Sequence, residues 1–181
     1  MDSRSSLLIL GLGNLLCTDD GAGAFVVQEI AETRVAPDGV RILDGGTLGL
    51  ALLPYLEDAE RAILVDAVQV DAPPGTVIRL EGEEVGPAIA SHLSVHQVGV
   101  ADLLDAARWR ERVPPELTLL GVVPLSTELG YGLSAPVDAA FDDLVARVCQ
   151  EAARLGFPLS MKQPHDHDHE GARLRAAVGD R

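Results

Sequence analysis

With 181 residues the chain has material for one well-buried domain and little for a second. Hydrophobic residues make up 47% and aromatic residues 3%, so a core of packed aliphatic layers is expected and base stacking is not. Lys and Arg number 14 against 28 Asp and Glu, and the net charge of -14 repels nucleic-acid backbones and anionic membrane surfaces while suiting a cation or a partner with a basic segment.

Residues 7–10 (LLIL) read as a buried strand, and AGAFVVQEIAE, just after Gly21, has apolar residues at helical spacing. Residues 40–43 form a second strand candidate ending in Asp44-Gly45-Gly46-Thr47, after which LGLALLPYLED looks helical. AILV, residues 62–65, is a third strand that stops at Asp66. TVIRL follows the turn signal APPG so closely on its predecessor that an edge position is expected. HQVGVADLLDAARW suits a helix, residues 117–123 a further central strand, and residues 136–155 a last amphipathic helix. Strands alternating with helices imply a single-domain α/β sandwich, a twisted, largely parallel sheet between helices, over residues 1–157. Residues 158–181 are polar and rich in Pro, Gly and charge, and are expected to be disordered.

Cys17 and Cys149 form no CxxC pair, so neither a disulfide framework nor a cysteine zinc site is indicated. No apolar run approaches the ~20 residues of a membrane span. A cytoplasmic protein is expected.

The chemistry is concentrated at the strand ends. GLGNLLCTDDGAG begins like a dinucleotide fingerprint, but the third glycine position is Leu16, and Asp19 and Asp20 would face the pyrophosphate. Acidic side chains in a strand-to-helix loop instead gather a cation or act as acid and base, although a lone pair is more often a helix cap and a dipole complement. This pair is not alone. Open α/β sheets collect ligands outside the carboxyl ends of their strands, where Asp44 and Asp66 also fall. SHLSVHQVG adds His92 and His96, of which His96 is the better placed, at a helix start facing the same crevice. Two carboxylates and one imidazole would make a borderline metal site with positions open to water or a partner's ligands. Cys17 lies close by without a base to activate it, and neither GxSxG nor HExxH is present.

GLGNLLCTDDGAG, ILDGGTLGL, ILVDAV and SVHQVGVADLL, in this order and at these separations, closely resemble the nickel-iron hydrogenase maturation endopeptidases, also called hydrogenase expression/formation proteins. The resemblance covers residues 7–157. It implies a five-stranded sheet between helices and an endopeptidase, classed with the aspartic-type peptidases, that removes a C-terminal peptide from the hydrogenase large-subunit precursor once nickel is inserted. It places metal contact and catalysis on Asp20, Asp66 and His96, with nickel supplied by the precursor, and substrate recognition on Asp44, Gly45, Gly46 and Thr47. Many members carry Glu where Asp20 stands; Asp keeps the ligand chemistry but reaches one methylene less far. Two other classes remain open: a non-catalytic nickel chaperone, which might recruit the tail HDHDHE, and a nucleotide-binding oxidoreductase resting on GLGN.

Overall fold

The strand read at residues 7–10 is β1 (Leu7–Leu12), buried along its whole length. Burial on both faces is the condition of a central parallel strand and accounts for an apolar run without alternation. A 3-10 turn, Thr18–Gly21, leads into α1 (Ala22–Thr33), then β2 (Arg34–Val35) and β3 (Val40–Gly46). There follow α2 (Leu53–Glu57), β4 (Arg61–Ala67), β5 (Val77–Glu81) and α3 (Val85–Ala90). The chain closes with α4 (Val95–Trp109), β6 (Glu116–Val122), α5 (Ala135–Arg154) and β7 (Ser160–Met161). The structure is a computed structural model that describes residues 6–90 and 95–163.

The main sheet has five strands in the order β3-β1-β4-β6-β5. Its first four strands are parallel, and β5 runs antiparallel to β6 at the edge. The edge position expected for TVIRL is the one observed. Its direction follows from the short link after β4, since a parallel return needs a crossover of a dozen residues or more. Period-two alternation sends Leu8, Leu10, Ala62 and Leu64 to a core under α2, α3 and α4. Leu7, Ile9, Ile63 and Val65 go to the opposite core, under α1 and α5.

Three local expectations need revision. LGLALLPYLED is a 3-10 turn, Gly49–Leu52, running into the short α2 rather than one helix. β4 continues through Asp66 to Ala67, with Asp66 opposite Gly121 of β6. Regular pairing also extends past residue 157: β7 pairs antiparallel with β2, and the Lys162 N–H donates to the Thr33 carbonyl. A two-residue strand paired with a segment some 125 positions away leaves no periodic trace. The HDHDHE stretch lies outside the described residues. Among those described, no helix is long and apolar enough to cross a membrane.

One charged side chain is built into the packing of α5. Glu151, buried, accepts hydrogen bonds from Arg79 of β5 (3.0 Å to each oxygen), from Thr118 of β6 (3.0 Å) and from Arg154 (2.8 Å). Burial pushes its carboxyl pKa up, but the Arg79, Arg154 and Thr118 hydrogen bonds outweigh that and hold it at about 2, below the usual 4.5. A depressed folded-state pKa stabilises the fold above the unfolded value, and that stability is lost as pH falls from about 4.5 through about 2. Glu151→Gln is therefore expected to cost on the order of 2–3 kcal/mol at neutral pH and to flatten the loss of stability across that acidic window. Urea unfolding as a function of pH measures both.

Candidate active site at the carboxyl edge of the sheet

The loop between β1 and α1 is shaped by close backbone approach. Gly13 has φ +113°, and a Cβ there would overlap the Asp20 carbonyl oxygen. A Cβ on Gly23 would overlap the carbonyl oxygen of Val65 at the end of β4. Glycine is thus required at both positions, and α1 begins hard against the last residues of β1 and β4.

This packing decides what the loop can hold. Asp20 is 3% exposed, and its Oδ2 accepts the Asn14 N–H at 2.8 Å. Glycine-rich loops offer such amides to phosphates; here an internal carboxylate takes one, so a phosphate would meet both a used donor and a negative charge. The dinucleotide reading therefore fails on geometry as well as on glycine spacing. Asp66 is 1% exposed, and its Oδ1 accepts the Ala67 N–H at 2.8 Å. The turn that carries Asp20 packs on β4, so the two carboxylates stand at the carboxyl ends of adjacent strands. By alternation Asp66 falls on the face covered by α4. His96 is in the first turn of α4, which runs into β6 and so starts from the carboxyl edge. Its side chain lies outside the described residues.

Asp44, Gly45 and Gly46 end β3 and Thr47 follows in the turn, beside the Asp20 loop: Gly46 is paired with Leu12, and the Gly13 N–H donates to the Gly46 carbonyl at 3.1 Å. Asp44 is exposed, not buried like the other two; it accepts Gln28 Nε2 at 2.8 Å and the Gly46 N–H at 3.0 Å. It shapes its own turn and faces solvent. The described residues include no group of three or more His, Cys, Asp and Glu side chains set to hold a metal. Cys17 and Cys149 are both free thiols.

The sequence reading gave Asp19 no role beyond an acidic pair or a helix cap; in the structure it is fully buried. It caps neither its own turn nor α1; its oxygens accept from the N–H groups of Leu125 (2.8 Å), Ser126 (3.1 Å) and Ser134 (2.7 Å) and from the Ser134 hydroxyl (2.7 Å). A DD pair before a helix signals a cap locally, and nothing local signals partners more than a hundred positions away. A recess of about 550 Å³, lined by Glu57, Arg61, Arg112 and Pro115 among others, opens at the opposite end of the sheet, where β4 and β6 begin. Its Arg61 is engaged by Glu116 and Glu60, and none of the expected site residues lines it.

The family model described as hydrogenase maturation protease matches residues 25–151. The chain belongs to the hydrogenase maturation proteases. It is 39% identical over 143 residues to the hydrogenase 2 maturation protease of Escherichia coli K12, covering 78% of this chain and 87% of that protein. It is 35% identical over 183 residues to the hydrogenase expression/formation protein HupD of Bradyrhizobium diazoefficiens, covering 94% of this chain and 95% of that one. In three dimensions it resembles the E. coli hydrogenase maturating endopeptidase HybD, with TM-score 0.82, 36% identity, and coverage of 86% of this chain and 97% of that one. The HybD maturation protease of Thermococcus kodakarensis superimposes with TM-score 0.64 at 33% identity, over 81% of this chain and 98% of that one. As a maturation protease the chain is a hydrolase, which sets aside the metal chaperone and the oxidoreductase. The family match begins at Phe25, beyond Asp20, and takes in Asp66 and His96.

Gly23 tests whether close packing places this site. Gly23→Ala is expected to destabilise the fold by at least ~1–3 kcal/mol, the usual cost of overpacking against unyielding backbone. Amide exchange should show the loss of protection concentrated at the Thr18–Gly21 turn and the start of α1.

Proposed function

We propose that this maturation protease removes a C-terminal peptide from the nickel-loaded large-subunit precursor of a nickel-iron hydrogenase, and that Asp20, Asp66 and His96 recognise the nickel that the precursor brings. The observation that carries the reading is the pair of buried carboxylates on adjacent strand ends, on a chain that belongs to the maturation proteases. Like charges at one edge repel each other, and a cation relieves the repulsion. Carboxylate and imidazole are hard to borderline donors, enough to complete a nickel site already holding thiolates and poor competitors for free nickel. The metal would therefore act as part of the substrate: a precursor without it offers these side chains nothing to bind.

The reaction class is amide hydrolysis in which side-chain carboxylates act as acid and base, in line with aspartic-type peptidases. Asp20 and Asp66 are held for this by neighbouring main-chain N–H groups, each fixing one oxygen and thereby the orientation of the carboxylate. The exposed Asp44 and the Gly45-Gly46-Thr47 turn border the site on the β3 side and would contact the polypeptide around the cut.

Incubation with purified precursor, followed by mass spectrometry of its C-terminus, tests the reading. Nickel-loaded precursor should be shortened and metal-free precursor should not; equal cutting of both would remove nickel as the signal. Asp20→Ala, Asp66→Ala and His96→Ala should each lower processing by roughly a hundredfold or more, in line with loss of a group that acts at the reacting centre. Circular dichroism should show the three variants folded, and full processing by all of them would refute the assignment.

A further inference from the structure

We propose that Asp19 is a positioning residue, and that the loop it fastens forms with Leu16 an apolar ledge on which an uncharged stretch of the precursor polypeptide docks beside Asp20. The occupant rests on the precursor being the substrate; the ledge rests on the following geometry.

The loop after β6 is laced to the loop after β1 along several rungs. Besides the four hydrogen bonds to Asp19, the Gly130 N–H donates to the Leu16 carbonyl and the Thr18 N–H to the Gly130 carbonyl, both at 2.8 Å. The Thr18 hydroxyl donates to the Ser126 carbonyl at 2.6 Å. Cys17 and Gly130 form a parallel bridge, which sets Leu16 and Leu129 side by side along the two backbones. Tyr131 packs edge-to-face on Phe25 of α1, with ring centroids 5.6 Å apart. A charged carboxylate at full burial is costly unless well hydrogen-bonded, so Asp19 strongly favours the one loop arrangement that supplies its donors.

The surface fixed in this way is unusual for this chain. Single exposed hydrophobic residues are ordinary, and only their concentration in one place is informative. Of the ten large hydrophobic residues exposed among the described residues, six lie in the loops after β1, β3 and β6: Leu16, Leu48, Leu50, Leu125, Leu129 and Tyr131. Leu16 is 60% exposed and Leu129 86%. Apart from the buried Asp19 and Asp20, the same loops are almost without charge on a strongly charged chain: residues 11–18 and 45–56 carry none, and residues 124–134 only Glu128. A second copy of the chain would bring another net charge of -14 to this edge and would cover Asp20. An extended polypeptide with apolar side chains fits the surface and still presents a bond to the carboxylates.

The test is steady-state processing of nickel-loaded precursor by wild type, Leu129→Ser, Asp19→Asn and the double variant, with melting temperatures for each. Leu129→Ser should raise KM roughly tenfold with little change in kcat, the cost of docking without one leucine side chain. Its melting temperature should stay at the wild-type value because the side chain is exposed. Asp19→Asn turns an NH2 group toward backbone donors in either orientation, so it should also raise KM, and the double variant should be little worse than the worse single one. An unchanged KM in Leu129→Ser overturns the ledge. A fall in kcat at constant KM in Asp19→Asn, or additive effects in the double variant, overturns the positioning role. If Asp19→Asn does not fold, Ser134→Ala, which removes only the hydroxyl donor, takes its place in the cycle. Self-association abolished by Leu129→Ser, with processing intact, assigns the surface to a second copy and overturns the proposal. Failure of the wild type to cut nickel-loaded precursor refutes the substrate instead, and is distinguished by being independent of every ledge variant.

Discussion

No side chain fits between the start of α1 and the ends of β1 and β4. At Gly23 the backbone of the helix meets the carbonyls of Val65 and Leu12, and at Gly13 the loop backbone meets that of Asp20. The rest of the carboxyl edge follows from these approaches. They bring the Thr18–Gly21 turn down onto β4, which sets Asp20 beside the strand that carries Asp66 near its carboxyl end, and they bring the Asn14 amide to the Asp20 carboxylate. A loop relaxed by even one methyl group would carry the same residues without the same juxtaposition. The glycines of a nucleotide fingerprint serve a comparable geometric purpose, admitting backbone close to a ligand. Here the approach is of protein to protein, and the anion accommodated is a side chain of the chain itself.

Adjacent aspartates in this turn face different partners. Asp19 is directed to the loop after β6 and uses its acceptor capacity on four donors there. Asp20 faces back to Asn14, whose N–H donates to its Oδ2. Saturation with fixed donors suits a carboxylate to structure, because no ligand competes well with four hydrogen bonds already in place. The same reasoning sets Asp19 apart from the residues proposed to meet the substrate. Neither role could be assigned from the identity of the residues, which is the same in both.

Much of this architecture is legible in the sequence, for physical reasons that also mark where legibility stops. The buried runs at residues 7–10 and 62–65 lack alternation because helices cover both faces of the sheet, and that pattern alone leads to the parallel arrangement seen. Asp44 and Asp66 are found by position, since an acidic residue that follows an apolar run falls near the carboxyl end of its strand. The Asp19 hydrogen bonds could not be foreseen, because their donors are main-chain N–H groups, and every residue but proline carries one. The β2–β7 pair was equally out of reach, being short and nonlocal. α3 was missed because VGPAIA combines Gly and Pro, both usually read as breakers, whereas Pro87 falls near the helix start, where no partner for its missing N–H is needed. Of the three residues proposed to meet nickel, Asp20 and Asp66 are located side chain by side chain, and His96 by the helix turn that carries it.

Under the proposed function, recognition divides between forces of different range. A net charge of -14 favours cations and basic segments at a distance, but salt confines that attraction to about 8 Å at physiological ionic strength. At contact the uncharged loops around Asp20 reward apolar surface, and the carboxylates reward a metal that already carries thiolates. Each contribution is modest alone: free nickel would meet too few soft donors, and a polypeptide without metal would find only the apolar ledge. A substrate that bears both on one chain gains the second contact without a second loss of translational freedom, so the two contributions combine within a single binding event. A protease organised in this way needs no separate inhibitor to spare unfinished precursors, because the unfinished precursor lacks half of what binds.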